Sequence, residues 1–124
     1  MTQEYKELLL KDLCGRFAYN TIYADIWYED GIVLDKSCIN IHVLSDLKYG
    51  KIKSIKPYLR TMSSMTAVEV GEYISLKEDI IGSDDITYFF ETYESIDWLN
   101  KKMFDYRGLI ERGLALEAPE GMYN

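Results

Sequence analysis

The sequence has few of the residues that build metal centres and disulfide frameworks. It contains one histidine, His42, and two cysteines, Cys14 and Cys38, in 124 residues. Two cysteines are too few for the disulfide framework of a small secreted domain, so we expect both thiols to be reduced and mostly buried. A single disulfide between them is the alternative. Metal sites cluster such residues, whereas these three lie on separate predicted elements. We expect no metal and no cofactor.

Long apolar runs and catalytic motifs are also missing. The longest apolar run near the N-terminus is Leu8-Leu9-Leu10, far short of the ~20 residues that span a bilayer, and the start lacks the pattern of a signal peptide. No phosphate-binding glycine loop, nucleophile elbow or zinc-protease motif occurs. A Cys14–His42 catalytic pair stays open, because such residues need only meet in space. We expect a cytoplasmic protein that is not an enzyme, has no catalytic residue and binds no membrane.

Basic residues are outnumbered, whereas tyrosine is abundant. Fourteen lysines and arginines stand against 21 acids, which gives a formal net charge of −7. Nucleic acids and anionic membranes are generally bound by cationic surfaces, so this balance disfavours both as partners. The 11 tyrosines combine an apolar ring with a polar tip, which suits half-buried core positions and binding faces alike.

The length predicts one domain over residues 1–124. Residues 3–14 have helical periodicity, with Leu9 and Leu13 on one face. Thr2 is the expected N-cap, and Gly15 is the expected left-handed residue after the helix.

Period-two alternation over residues 20–44 predicts a β-meander. Asp30-Gly31 has the composition of a hairpin turn, and residues 38–43 read as a further strand. Residues 51–56 could add another, with Pro57 ending it or placing it at a sheet edge.

The second half of the chain predicts two helices and one more strand. Thr66–Glu69 has capping-box form and begins a short helix over 67–75. Residues 76–85 are predicted to form a polar, acidic loop. Residues 86–90 are predicted to form either a strand or the segment that leads into a helix over 93–104. The expected fold class is therefore α+β. A small antiparallel sheet of three to four strands packs with an N-terminal helix, a short middle helix and a C-terminal helix followed by an irregular tail.

Charge is segregated along the chain. Residues 77–97 hold seven acids and one lysine. An acidic, tyrosine-rich surface can imitate a phosphate backbone and occupy a basic groove of another protein. The candidate residues of this protein-binding surface are Glu78, Asp79, Asp84, Asp85, Glu91 and Glu94.

Residues 48–60 hold five cations and no acid, which supports an alternative function. Such a stretch can bind RNA or single-stranded DNA through phosphates and stacked bases. The candidate residues of this nucleic-acid site are Lys51, Lys53, Lys56, Tyr58 and Arg60. Both segments also have ordinary explanations, since lysines protect an exposed edge strand and acids favour a helix N-terminus.

Several runs of the chain form a recognisable pattern. They are Lys6–Cys14, Lys56–Arg60, Met62–Thr66, Tyr93–Asn100, Phe104–Ile110, Gly113–Ala115 and Ala118–Tyr123. The pattern resembles a family of small uncharacterised proteins from Bacteroides-type gut bacteria and their phages. The resemblance implies a gene of a phage or mobile element whose product acts in the cytoplasm of a bacterial host cell, and it assigns no activity and no functional residue.

These observations favour a non-enzymatic accessory or inhibitor protein, encoded by a phage or mobile element, that binds another protein through its acidic surface. Counter-defence, as by an anti-CRISPR protein, is the sharpest form of this hypothesis. The protein is expected to be a monomer or a homodimer. A small ligand-binding protein with a site at Tyr106 and Arg107 is a further alternative. We favour Arg107 as a structural anchor that binds carbonyls at the end of the preceding helix or pairs with Asp105.

Overall fold

The computed structural model describes residues 2–26, 33–49 and 55–123. Its helices and strands, in chain order, are α1 (Gln3–Arg16), β1 (Ile22–Ile26), β2 (Val33–Cys38), α2 (Ile41–Lys48), β3 (Ile55–Leu59), α3 (Ala67–Leu76), β4 (Glu78–Ile81), β5 (Thr87–Phe90), α4 (Tyr93–Lys101) and β6 (Leu116–Glu117). Two short 3₁₀ turns cover Phe17–Tyr19 and Met62–Ser64. The predicted α+β class is confirmed.

The main sheet has the strand order β2-β1-β3-β6 within the described residues. β1 is antiparallel to both β2 and β3, whereas β6 is parallel to β3 and makes the sheet mixed. The predicted meander is wrong beyond the β1–β2 pair, because a meander pairs each strand with the next one, whereas β1 lies between β2 and β3. β3 runs through Pro57 to Leu59 and lies between β1 and β6, so both predicted roles of Pro57, ending a strand over 51–56 or placing it at a sheet edge, are wrong. The predicted turn at Asp30-Gly31 lies outside the described residues.

The predicted strand over 38–43 is wrong, because β2 ends at Cys38 and α2 begins at Ile41. The Asn40 side chain caps this helix by accepting a hydrogen bond from the Val43 amide at 3.0 Å. Ile39 and Val43 are buried whereas Ile41 is exposed, so the burial follows an i, i+4 spacing. The spacing of the apolar residues fits both the two-residue period of a strand and the period of a helix. The capping residue Asn40 favours the helix.

Helix caps were predicted more accurately than helix ends. Thr2 caps α1, and Thr66 and Glu69 form the expected capping box of α3. Gly15, however, lies inside α1, where a Cβ atom would come within 3.2 Å of the Asn100 amide nitrogen. This glycine therefore permits close packing of α1 on α4 and does not end the helix. α4 ends before the predicted residue 104, since Met103 has a left-handed φ of 63°.

The core has two parts. The larger buried cluster joins α1, α2, β1, β3 and the C-terminal tail, and the smaller one is formed by Tyr73, Leu99 and Phe104. Cys14 and Cys38 are both free and exposed, which corrects the expectation that these thiols are buried. His42 is an exposed residue of α2 and not of the strand that the prediction over 38–43 implied. No helix in the described ranges is long and apolar enough to cross a membrane.

Candidate functional site: an acidic and aromatic arm

Strands β4 and β5 form a separate two-stranded antiparallel sheet, which corrects the prediction of a polar loop over 76–85. The predicted strand over 86–90 is confirmed as β5. Every residue of both strands is exposed. We call residues 78–90 the arm, and the other described residues the body.

Both faces of the arm combine acids with large apolar side chains. The register pairs Glu78 with Phe90 and Asp79 with Phe89, and successive residues of a strand point to opposite faces. One face therefore carries Glu78, Ile80, Tyr88 and Phe90, and the other carries Asp79, Ile81, Thr87 and Phe89. The large apolar side chains of both strands are 45% to 70% exposed, and monomeric proteins rarely leave such contiguous apolar surface in water.

The six predicted acidic residues lie on the arm or at its root. Glu78, Asp79, Asp84 and Asp85 belong to the arm, which has no lysine or arginine. Glu91 follows β5 directly, and Glu94 lies in the first turn of α4. The sequence thus identified these acids, but it gave no sign that exposed apolar residues stand among them.

Glu91 fixes the root of the arm to the body. Its carboxylate accepts hydrogen bonds from the Tyr73 hydroxyl of α3 and, at 2.6 Å, from the Ser95 hydroxyl of α4. The Lys77 ammonium lies 3.3 Å from the same carboxylate. Both strands of the arm are therefore held at their body ends by one charged, hydrogen-bonded group, which is a structural task for Glu91.

Asp84 and Gly82 shape the tip of the arm. The Asp84 carboxylate accepts hydrogen bonds from the Tyr88 hydroxyl at 2.9 Å and from the Ile86 amide at 3.2 Å. The Tyr88 hydrogen bond, followed by the Ile86 amide, lowers the pKa of Asp84 below its usual value. A Cβ atom at Gly82 would lie 2.7 Å from an Asp84 oxygen and 2.8 Å from the Tyr88 ring. A side chain at this position would therefore have to displace the Asp84 and Tyr88 side chains.

The residues of the alternative nucleic-acid site are not assembled into a basic surface among the described residues. Tyr58 is only 6% exposed, so its ring is not accessible for stacking on a base. The Arg60 guanidinium forms a two-pronged ion pair with Glu69, at 2.7 and 2.8 Å, and lies 4.2 Å from the centre of the Phe104 ring. Lys56 is half-buried on β3, and Lys51 and Lys53 lie outside the described residues.

A polar cleft of about 680 Å³ opens beside the Arg60–Glu69 pair. Its walls include Lys102, Glu117 and Tyr123. The Arg60 guanidinium lowers the pKa of Glu69 to about 2, so this carboxyl group is charged at neutral pH. Burial raises the pKa of Tyr123 to about 12, and its hydroxyl accepts from the Ile22 amide and donates to the Tyr58 carbonyl. Arg60, Glu69 and Tyr123 therefore help to hold the fold, whereas no hydrogen bond or ion pair engages the side chains of Lys102, Glu117 and Glu120 in the described part of the chain.

Arg107 is an anchor, but its partners differ from those predicted. Its guanidinium lies 2.9 Å from Asp12 of α1, whereas Asp105 accepts hydrogen bonds from the Leu109 and Ile110 amides. The carbonyls near the end of α4 are instead bound by the fully buried Arg16. A sequence signal could have revealed this network. Two charged residues, Asp12 and Arg16, lie on the same face of α1 as the apolar Leu9 and Leu13.

The fold and the site define an α+β protein that carries an exposed acidic and aromatic arm. No family model, curated protein or solved structure matches the chain. Across the described ranges, no group of three or more histidine, cysteine, aspartate or glutamate residues could hold a metal ion.

Proposed function

We propose that this is a non-enzymatic protein that uses its arm to bind a second protein whose surface is apolar and basic. The observation that carries the proposal is the exposure of apolar side chains on both faces of the arm, directly beside unpaired carboxylates. Glu78 and Asp79 form no ion pair in the described part of the chain. Their charges are therefore available to a partner.

The two kinds of side chain would have different tasks in binding. Burial of a large apolar side chain stabilises a complex by about 1.5–3 kcal/mol relative to its exposed state, so Ile81 and Phe89 would supply much of the affinity. Carboxylates at the rim mainly steer the approach of a cationic partner and reject anionic ones. An arm with four acids and no cation selects a basic protein.

Inhibition is the form of this function that we favour. An acidic arm can enter a basic groove that otherwise holds nucleic acid, and apolar contacts on its two faces would keep it there. The sequence resemblance to proteins of gut bacteria and their phages supports an inhibitor of a host nucleic-acid enzyme, as in counter-defence. The alternative, direct binding of RNA or single-stranded DNA, has less support, because Tyr58 is buried and Arg60 is paired with Glu69.

The proposal is tested by placing a photo-crosslinking phenylalanine analogue at Ile81 in the full chain and irradiating it in a lysate of the bacterial host. Ile41 is the matched control, because it is an isoleucine of similar exposure, 62% against 70%, that lies on α2 in the body. We expect one protein to be captured from position 81 and not from position 41.

The captured protein is then purified, and its affinity for the chain is measured by calorimetry. Asp79→Lys should weaken binding by about tenfold or more, since it reverses a charge beside the contact, whereas Ile41→Ser should leave the affinity unchanged. Equal capture from both positions, or an affinity that is unchanged by Asp79→Lys, contradicts the proposal. Binding to free nucleic acid that is lost in Lys56→Glu would favour the alternative.

A further inference from the structure

The outer edge of β5 has backbone groups without partners. The Gly82 amide donates to the Ile86 carbonyl at 2.9 Å, which makes 82–86 a hydrogen-bonded pair of the β4–β5 ladder. Such pairs alternate along an antiparallel ladder, so Ile80 and Tyr88 form the next one. The N–H and C=O groups of Thr87 and Phe89 therefore point away from β4. In the described part of the chain, no hydrogen bond reaches them.

We propose that this edge pairs with β5 of a second copy of the chain. The two strands would run antiparallel about a twofold axis at Tyr88, with Thr87 of each copy opposite Phe89 of the other. This register satisfies the outward groups of both residues through four hydrogen bonds and creates a four-stranded sheet in the order β4-β5-β5-β4. The inference goes beyond the proposed function and does not rest on it.

The distribution of charge selects a second copy as the occupant of this edge. Residues 86–90 are uncharged, whereas β4 carries Glu78 and Asp79. Pairing through β5 places the two β4 strands at opposite edges, about 14 Å apart at ~4.8 Å per strand, which exceeds the ~10 Å screening length in 0.1 M salt. A basic strand from another protein would instead choose β4, where the carboxylates are. The two edges therefore suit different occupants.

The side chains of β5 suit self-pairing. Two copies of Tyr88 would form a non-hydrogen-bonded pair, in which side chains lie closest, and Ile86 would face Phe90. Aromatic and β-branched cross-strand pairs stabilise a sheet, and a two-stranded hairpin is only marginally stable by itself. Asp85 would lie opposite Glu91, whose charge is offset by Lys77 at 3.3 Å. The twofold axis repeats this contact, and the two like-charge contacts predict that added salt strengthens the dimer.

The test introduces Tyr88→Cys into the full chain after Cys14→Ser and Cys38→Ser have removed the two exposed thiols. Residues opposite each other in a non-hydrogen-bonded pair have Cα atoms about 4.5 Å apart, within the range that a disulfide bridges. We expect a covalent dimer on mild oxidation. Thr87→Cys is the matched control, because two copies of residue 87 would be offset by two residues along the strands, about 8 Å apart, too far to be bridged.

Sedimentation equilibrium measures the same association without a crosslink. Phe89→Pro removes an outward N–H group that β4 does not use, so it should weaken the dimer by about tenfold or more, and a matching circular dichroism spectrum would show that the fold is retained. Should that variant fail to fold, the contrast between the two cysteine positions decides. A chain that stays monomeric at high concentration and salt, or equal crosslinking through positions 87 and 88, would overturn the proposal.

Discussion

The body and the arm use aromatic and charged residues in opposite ways. In the body, Trp98 stacks between Tyr73 and Phe104, with ring centres 5.7 Å apart on each side. In the arm, Tyr88 and Phe89 are about half exposed and stack on no other ring in the described chain. Aromatic pairs stabilise a fold beyond the area they bury. In the body these contacts already stabilise the fold, whereas in the arm the aromatic rings can still form such contacts with another molecule.

The same contrast holds for acids. Asp12 is fully buried and binds both Arg16 and Arg107, at 2.9 Å each. Asp79 is exposed and forms no ion pair among the described residues. A buried charge must be matched inside the protein, whereas an exposed one can act on other molecules. We therefore expect the body to supply stability, and we propose that the arm supplies recognition; both expectations can be tested.

The largest effect is expected at Asp12. Asp12→Ala leaves the fully buried Arg16 guanidinium without its counter-charge, and breaking a buried pair in this way costs about 3–5 kcal/mol in the free energy of unfolding. Urea denaturation followed by tryptophan fluorescence measures the loss. Asp79→Ala is the control and should change the value by less than about 0.5 kcal/mol. Similar losses in both variants would remove the distinction between body and arm.

A smaller, pH-dependent effect is expected at Glu69. Its pKa is lowered from 4.5 to about 2 by Arg60, so its contribution is complete above pH 4.5 and disappears as the pH falls towards 2. Because the ion pair is partly exposed, Glu69→Gln should cost about 1–2 kcal/mol at neutral pH.

Urea denaturation of both proteins over a pH series checks this expectation. The stability difference between them should shrink between pH 4.5 and 2, since the protonated glutamic acid resembles glutamine. Glu72→Gln, on the exposed face of the same helix, should show a difference below about 0.5 kcal/mol at every pH. A gap for Glu69→Gln that is constant across the series would mean that the pair with Arg60 contributes little.

Local signals in the sequence predicted local features of the fold. The caps at Thr2 and Thr66 are confirmed because a cap involves only residues three positions apart. The strand β4 was not predicted, because its two acids indicated a polar loop although two isoleucines follow them. The interpretation of residues 38–43 failed for a different reason, as short alternating runs fit a helix and a strand equally well.

Features of the candidate site depended on contacts across the chain. The acids of the arm were identified from sequence because charge is visible there. The exposure of Ile81 and Phe89 could not be predicted from sequence, because it depends on which surfaces the rest of the folded chain covers. Likewise, Tyr58 and Arg60 looked accessible in sequence, but the Phe104 ring and the Glu69 carboxylate engage Arg60 in the folded protein.

The smallest effect on stability is expected at Ile81, the most exposed apolar residue of the arm strands. Ile81→Thr keeps a β-branched side chain in β4 and removes apolar area that water already covers. It should therefore change the free energy of unfolding by less than about 0.5 kcal/mol and reduce the fluorescence of a dye that binds apolar surface. The same substitution at the fully buried Ile55 of β3 should cost at least about 2 kcal/mol. If the two substitutions cost the same in urea denaturation, Ile81 packs against the body in solution, and the arm is no longer a separate recognition element.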